Sequence, residues 1–307
     1  MNISPEILNL IDDIKHDKTQ GASQLARRAI SVLKAAAECS QANNAVDFLR
    51  EQRAIGEKLM AARPTMAPIY NMVTRLLAAA GKEGGGKGLE AIRRFTISRA
   101  DDIVRDSLEA ITRIVRHGCE LISAGDRILT HSYSSTVIAV LKEAVSKYGS
   151  IEVVVTRSGA GRTGEQIAAE LGNCGAGVTL IDDTAAGIFL PAVDKVMLGA
   201  DRVCADGKVI NGVGSYQLAL LSKEAGSACY VLCDTFKFDL RVSSDQVDLE
   251  DREPGELVEP GRLPPGVRVK NPHFDITPLE LIAGVVTERG LLAASEVNGF
   301  MAELKSA

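Results

Sequence analysis

From residue 1 to about residue 117, Leu, Ile, Val and Ala recur at steps of three and four with charged residues between them, the spacing that lines one face of an α-helix. Segments 22–38, 43–61 and 99–116 are each long enough to be a helix. Ser23 follows a turn-forming stretch that begins at Asp17, and is a candidate cap for the helix beyond it. The glycine-rich run from Gly81 to Gly88 reads as a flexible loop between helices.

Beyond residue 118 short apolar runs alternate with longer helical ones, which predicts βαβ units and a largely parallel sheet. Predicted strands cover 127–131, 151–156, 177–181, 195–198 and 230–233. Predicted helices cover 135–147, 164–173, 185–192 and 214–225, with another from about 279 to 287. Segment 240–270 holds four prolines and many acids and reads as an irregular excursion over the surface. The fold class is α/β, with a helical domain over 1–117 and a doubly wound, mainly parallel sheet domain over 118–307.

Composition narrows the function classes. The chain is 46% hydrophobic and 24% charged with a net charge of -5, which argues against direct nucleic-acid binding or a dominant membrane surface. No apolar run approaches the ~20 residues that span a bilayer, and the acidic amino terminus does not resemble a signal peptide, so a cytoplasmic location is expected. The six cysteines form no C-x-x-C pair and have no histidine at metal-ligand spacing, so they read as buried reduced thiols, with no metal and no cofactor expected.

Two phosphate-loop patterns occur, and neither has the right context. Residues 81–87 fit G-x-x-x-x-G-K, but Gly88 stands where a Mg²⁺-binding Ser or Thr belongs, and a helix precedes the loop. Residues 159–164 spell G-x-G-x-x-G, yet they follow the second predicted strand, whereas a dinucleotide fingerprint opens the first βα unit. The alternative there is a glycine-rich loop that receives an anion on backbone N–H groups ending at Gly164, flanked by Arg157 and Arg162.

Several further stretches carry candidate chemistry. Asp201 lies just past the predicted strand 195–198, at the sheet edge where open α/β proteins bind ligands. Read alone, it serves equally well as a cap or loop-stabilising carboxylate. Asn211 is followed by glycines and a helix start, and reads as either a ligand contact or a turn former. Lys237, beyond the last predicted strand, is either a complement to an anion or a solvated lysine. Read alone, Arg63, Pro64 and Thr65 begin a helix, with Pro64 in its first turn.

In order and spacing, Gly21-Ala22-Ser23, Arg63-Pro64-Thr65, Thr130-His131-Ser132, Gly199-Ala200-Asp201, Lys237-Phe238 and the segment 271–278 resemble one family. It contains the α, β and δ subunits of eukaryotic initiation factor 2B, methylthioribose-1-phosphate isomerase and archaeal ribose-1,5-bisphosphate isomerase. The resemblance implies a helical domain followed by a Rossmann-like domain, a cleft between them for a phosphorylated sugar or nucleotide monophosphate, and a homodimer or higher homo-oligomer. Taken with the glycine-rich loop that supplies Arg157, Arg162 and Gly164, it gives expected ligand or phosphate contacts at Gly21, Ala22, Arg63, Arg157, Arg162, Gly164, Asn211 and Lys237. The isomerases of the family use a cysteine and an aspartate for proton transfer; the aspartate matches Asp201, and Ser132 stands in the cysteine's place.

That exchange matters, because a thiol with a pKa of about 8.5 reaches its anion far more readily than an unassisted hydroxyl. His131 is the base nearest to Ser132 in sequence, although neighbours on a strand point to opposite faces. Two cations of the family pattern are also replaced, by Gln20 and Gly212. Two readings follow from the resemblance. The first is an initiation-factor-2B-like subunit, a partner in an initiation factor 2 assembly, that keeps a sugar-phosphate or nucleotide-monophosphate pocket. The second is an aldose–ketose isomerase acting on a ribose 1-phosphate derivative.

Overall fold

The computed structural model describes residues 3–83 and 88–306; the glycines at 84–86 of the loop expected over 81–88 lie outside these. Contacts divide the chain into two compact units, Met1–Ala110 and Ile111–Ala307.

The first unit is helical. It contains α1 (Pro5–His16), α2 (Ala22–Cys39), α3 (Ala45–Ala62), α4 (Ala67–Glu83) and most of α5 (Leu89–Glu120). The apolar periodicity is buried by packing α2 against α4 and α3, and α1 against α2 and α3. Phe48, Leu25, Leu33, Leu59 and Leu76 are fully buried there. The segment expected as a helix over 99–116 is part of one helix of 32 residues. Ser23 does not cap α2: it is the second helical residue and is buried, while Gly21 is the N-cap and its N–H donates to Gln24 Oε1 at 3.0 Å.

The second unit begins with β1 (Arg127–His131), α6 (Ser135–Tyr148), β2 (Glu152–Thr156), α7 (Thr163–Gly172) and β3 (Gly177–Ile181). It continues with α8 (Ala186–Phe189), β4 (Lys195–Leu198), β5 (Arg202–Val203), β6 (Val209–Gly212), α9 (Ser215–Ala225) and β7 (Ala228–Leu232). The last elements are β8 (Phe274–Thr277), β9 (Gly284–Thr287), β10 (Gly290–Ala293) and α10 (Val297–Ser306). The main sheet has the order β10-β9-β7-β4-β1-β2-β3, parallel except where β10 pairs with β9. Each inner strand is short, apolar and buried on both faces, so alternation is absent and β-branched residues dominate, as in Val153, Val154 and Val155.

Two expectations change. Residues 279–287 are a single 3-10 turn followed by β9, because Val285, Val286 and Thr287 are β-branched and fill a parallel position beside β7. Residues 185–192 form only the four-residue α8 between 3-10 turns, Pro191 lying in the second of these. A smaller antiparallel sheet, β5-β6-β8, had no counterpart in the sequence reading. Its strands are two to four residues long, and β6 meets β8 across more than fifty intervening residues.

Candidate functional site

Strand β1 sits between β2 and β4, and the chain winds outward from it first through β2 and β3, then through β4 and β7. The junction of β1 and β4 is therefore the switch point at which the loops leaving two adjacent parallel strands diverge and open a crevice. Ser132 follows β1 immediately and Gly199 follows β4 immediately.

Ser132 has a left-handed backbone, φ 59°, and its N–H donates to Ser158 Oγ at 2.9 Å. The strand has ended, so the alternation rule no longer governs the residue. A Cβ on Gly212 would lie 2.4 Å from Ser132 Oγ, so glycine at 212 is what permits the close approach of β6. A Cβ on Gly199 would lie 2.7 Å from Ser134 Oγ and 3.7 Å from Asn211 Oδ1. Ser132, Gly212, Asn211 and Gly199 thus form one contiguous rim. Asn211 is buried and donates to Ser215 Oγ at 2.9 Å. Two residues beyond Gly199, half-buried Asp201 is fixed by its N–H to Ile210 O at 2.8 Å. Lys237 is buried and donates from Nζ to Ala200 O, tying it to the same turn. Beneath that turn, buried Asp239 pairs with Arg202 at 3.4 Å and with Arg241 at 2.8 Å.

His131 does not serve Ser132. Its Nε2 donates to Val213 O at 2.8 Å, so Nδ1 is the acceptor and receives the Thr156 hydroxyl at 2.6 Å. Burial pushes its pKa down, against the Val213 carbonyl and Asp183, which favours the neutral ring.

A pocket opens beside Ser132. Its walls come from the end of β1, from the loop after β2 (Ser158, Ala160, Gly161, Thr163), from Gly212 and Val213, and from Asn271 to His273, with Arg252 across the loop. Segment 240–270 is pinned at this point: Arg252 N–H donates to Asn271 O at 2.7 Å, Asn271 Nδ2 to Glu253 O at 3.0 Å, and His273 N–H to Glu250 O at 3.0 Å. The Arg252 guanidinium lies against Gly161, where an added Cβ would be 2.6 Å from Nη1. Sequence reasoning missed Arg252; the one available signal was an arginine within an acidic run.

Both glycine-bordered clusters of backbone donors are already satisfied by carboxylates of the chain itself. Asp183 accepts the N–H groups of Ser158 at 2.8 Å and Gly159 at 2.6 Å. Asp275 Oδ2 accepts those of Gly214 at 2.7 Å and Tyr216 at 3.1 Å, at the amino terminus of α9. Burial pushes the Asp275 carboxyl up to about 6 despite these two bonds, and its buried Oδ1 has no hydrogen-bond partner among the described residues.

Arg157 and Arg162 are half-exposed to exposed, and both are directed to Glu165, at 3.6 and 2.7 Å. Gly164 is buried, and a Cβ there would lie 1.9 Å from Thr156 O, so glycine is required to seat α7 on β2. Gly21, Ala22 and Arg63 belong to the first unit. There Arg63 is the C-cap of α3 and donates to Ile14 O at 3.2 Å and to Asp17 O, covering the carboxyl end of α1. Cys204, the thiol nearest Asp201 in sequence, is fully buried, and burial pushes its pKa up to about 12. Among the described residues no group of three or more metal-ligating side chains forms, and no helix is long and apolar enough to cross a membrane.

Ribose 1,5-bisphosphate isomerase of Thermococcus kodakarensis is 33% identical over 298 residues, covering 95% of this chain and 92% of the relative. The enzyme of the same description from Methanocaldococcus jannaschii is 32% identical over 282 residues, 92% and 89% of the two chains. Among solved structures, translation initiation factor eIF-2B of Pyrococcus horikoshii superposes with a TM-score of 0.83 at 28% identity, covering 95% of this chain and 98% of the other. The 5-methylthioribose 1-phosphate isomerase of that organism gives 0.82 at 27% identity, covering 97% and 88%. The model of the initiation factor 2 subunit family matches residues 18–294, and the chain belongs to that family.

Proposed function

We propose that the chain is an aldose–ketose isomerase acting on a phosphorylated ribose, with Asp201 as its proton-transfer group. The observation that carries this reading is the placement of Ser132 and the Asp201 turn beyond the carboxyl ends of two adjacent strands at the switch point, with Ser132 lining a pocket walled by hydroxyls and one guanidinium. The relatives described as ribose 1,5-bisphosphate isomerases, aligned over more than nine-tenths of the chain, support the same substrate class.

The chemistry asks little beyond positioning and proton transfer. In a ribose 1-phosphate ester the bond from C1 to the ring oxygen breaks and that oxygen takes a proton. The hydrogen on C2 passes to C1, and the C2 hydroxyl loses its proton to become the ketone. Atoms balance within the substrate, and the change is redox-neutral. Asp201 supplies and accepts protons, while Ser132 orients a sugar hydroxyl by hydrogen bonding. A positioned acid–base group contributes about 10²–10⁴-fold in rate. Incubation with ribose 1,5-bisphosphate and methylthioribose 1-phosphate, followed by NMR of the sugar carbons, is expected to show a ketose product from at least one of them.

The second reading is a non-catalytic initiation-factor-like subunit that binds such a ligand. It is favoured by Ser132, which has an ordinary hydroxyl in place of the family cysteine and a neighbouring histidine whose ring is engaged elsewhere. Thermal stabilisation by these esters with no ketose formed selects it, since a ligand that binds the native state raises stability by mass action.

A further inference from the structure

We infer that Arg252 is the residue that holds the ligand's phosphoryl group in the second-unit pocket, in place of the arginines and loop amides of the G-x-G-x-x-G turn. This rests on the proposed sugar-phosphate reading and names the anion contact within it.

Three observations converge. Among the described residues that line the pocket, Arg252 is the one bearing a guanidinium or ammonium group. Its backbone is clamped on both sides by the pairing of segment 250–253 with 271–273, so the side chain is delivered to the wall by ordered structure. Its guanidinium lies flat against Gly161, at a spot that any larger residue would occupy, and it pairs with Glu256 at 3.3 Å with only 20% of the side chain exposed. A guanidinium held in one orientation presents paired N–H donors that match two phosphoryl oxygens, with less entropy to lose than a surface arginine.

The competing donors are spoken for. The N–H groups of Ser158 and Gly159 bind Asp183, and those of Gly214 and Tyr216 bind Asp275. A phosphate entering either cluster would have to displace a carboxylate of like charge. Arg157 and Arg162 share Glu165, as Arg252 has Glu256, but they are not among the described residues that line the pocket and their side chains are 44% and 57% exposed.

Isothermal titration with ribose 1-phosphate, ribose and inorganic phosphate tests this. Arg252→Gln is expected to weaken ribose 1-phosphate binding by about tenfold or more, the value of one charge-assisted contact, while leaving the weak binding of ribose unchanged. Arg157→Gln and Arg162→Gln are expected to change it less than about twofold. Because Arg252→Gln also loosens its own segment, Glu256→Gln is the companion variant: it keeps the guanidinium, frees it from its internal acid, and is expected to tighten ribose 1-phosphate and phosphate binding. Wild-type affinity in Arg252→Gln, loss of affinity in Arg157→Gln or Arg162→Gln, or weaker binding in Glu256→Gln overturns the inference. If binding depends on Arg252 but no ketose forms, the isomerase reading fails and this one stands. If ketose forms equally well in Arg252→Gln, the reverse holds.

Discussion

Adding a single methyl group at position 212 tests how closely β6 and the turn after β1 are fitted. In Gly212→Ala the new Cβ would lie 2.4 Å from Ser132 Oγ and 2.8 Å from Ser132 Cβ, both well inside contact distance. Rotation of the serine relieves the first contact but not the second, because Cβ is fixed by a backbone at φ 59° whose N–H is bonded to Ser158. The backbone must shift, and overpacking of this kind costs about 1–3 kcal/mol. Ser132→Gly removes both clashing atoms. It also relieves a left-handed conformation costing about 1 kcal/mol, offset by the larger entropy of glycine in the unfolded chain, so alone it is expected to be nearly neutral. The double variant should recover most of the loss, with a coupling of about 1–2 kcal/mol. Urea denaturation followed by circular dichroism reads this as a midpoint lower by about 0.3–1 M in Gly212→Ala and restored in the double variant, for a slope of about 3 kcal/mol/M. A midpoint unchanged in Gly212→Ala, or two single effects that simply add, refutes the close approach.

Other outcomes follow from the same geometry. Gly164→Ala gains about 1 kcal/mol of helix propensity but drives a methyl group to 1.9 Å from the Thr156 carbonyl oxygen, a backbone atom that cannot swing aside. A net loss of about 2 kcal/mol or more is expected on thermal melting. The Asp275 carboxyl is raised in the folded chain from 3.8 to about 6, so the native state binds the proton more tightly and this group's contribution to stability grows as pH falls through 6 toward 4. Wild type should therefore gain about 2 kcal/mol relative to Asp275→Asn between pH 7.5 and pH 4.5. Parallel melting curves of the two proteins across that range contradict it.

Sequence periodicity revealed the helical first unit and the parallel strands because both signals are local. Val153 to Val155 and Arg127 to His131 announce buried strands through four or five neighbouring residues. What stayed hidden depended on partners far along the chain. The strand at 284–287 carries the same apolar content as a helix turn, and only the slot beside β7 decides between them. The small sheet needs Asn211 to find Asp275, and no short-range pattern marks that pairing.

The candidate site divides in the same way. Ser132, Asp201 and Lys237 drew notice from their positions after strand ends and Asn211 from the glycines and helix start beyond it, although Asn211 lies within β6; the fold gathers their segments around one turn system. Arg157, Arg162 and the glycines beside them matched an anion-binding pattern, but Glu165 and Asp183 already neutralise that loop. A pattern of glycines shows where donors exist and not whether a distant carboxylate has taken them. Arg252 was invisible for the converse reason, since its place in the pocket is set by main-chain bonds to residues 271–273.

The most direct test of the account compares turnover of ribose 1,5-bisphosphate by wild type and Asp201→Asn, with binding measured on the same preparations. Wild type is expected to form the ketose, with a kcat lower by about 100-fold or more in the variant and ligand affinity within about threefold, because a proton-transfer group acts chiefly in the transition state. Absence of product from wild type, or a variant that turns over at the wild-type rate, contradicts it.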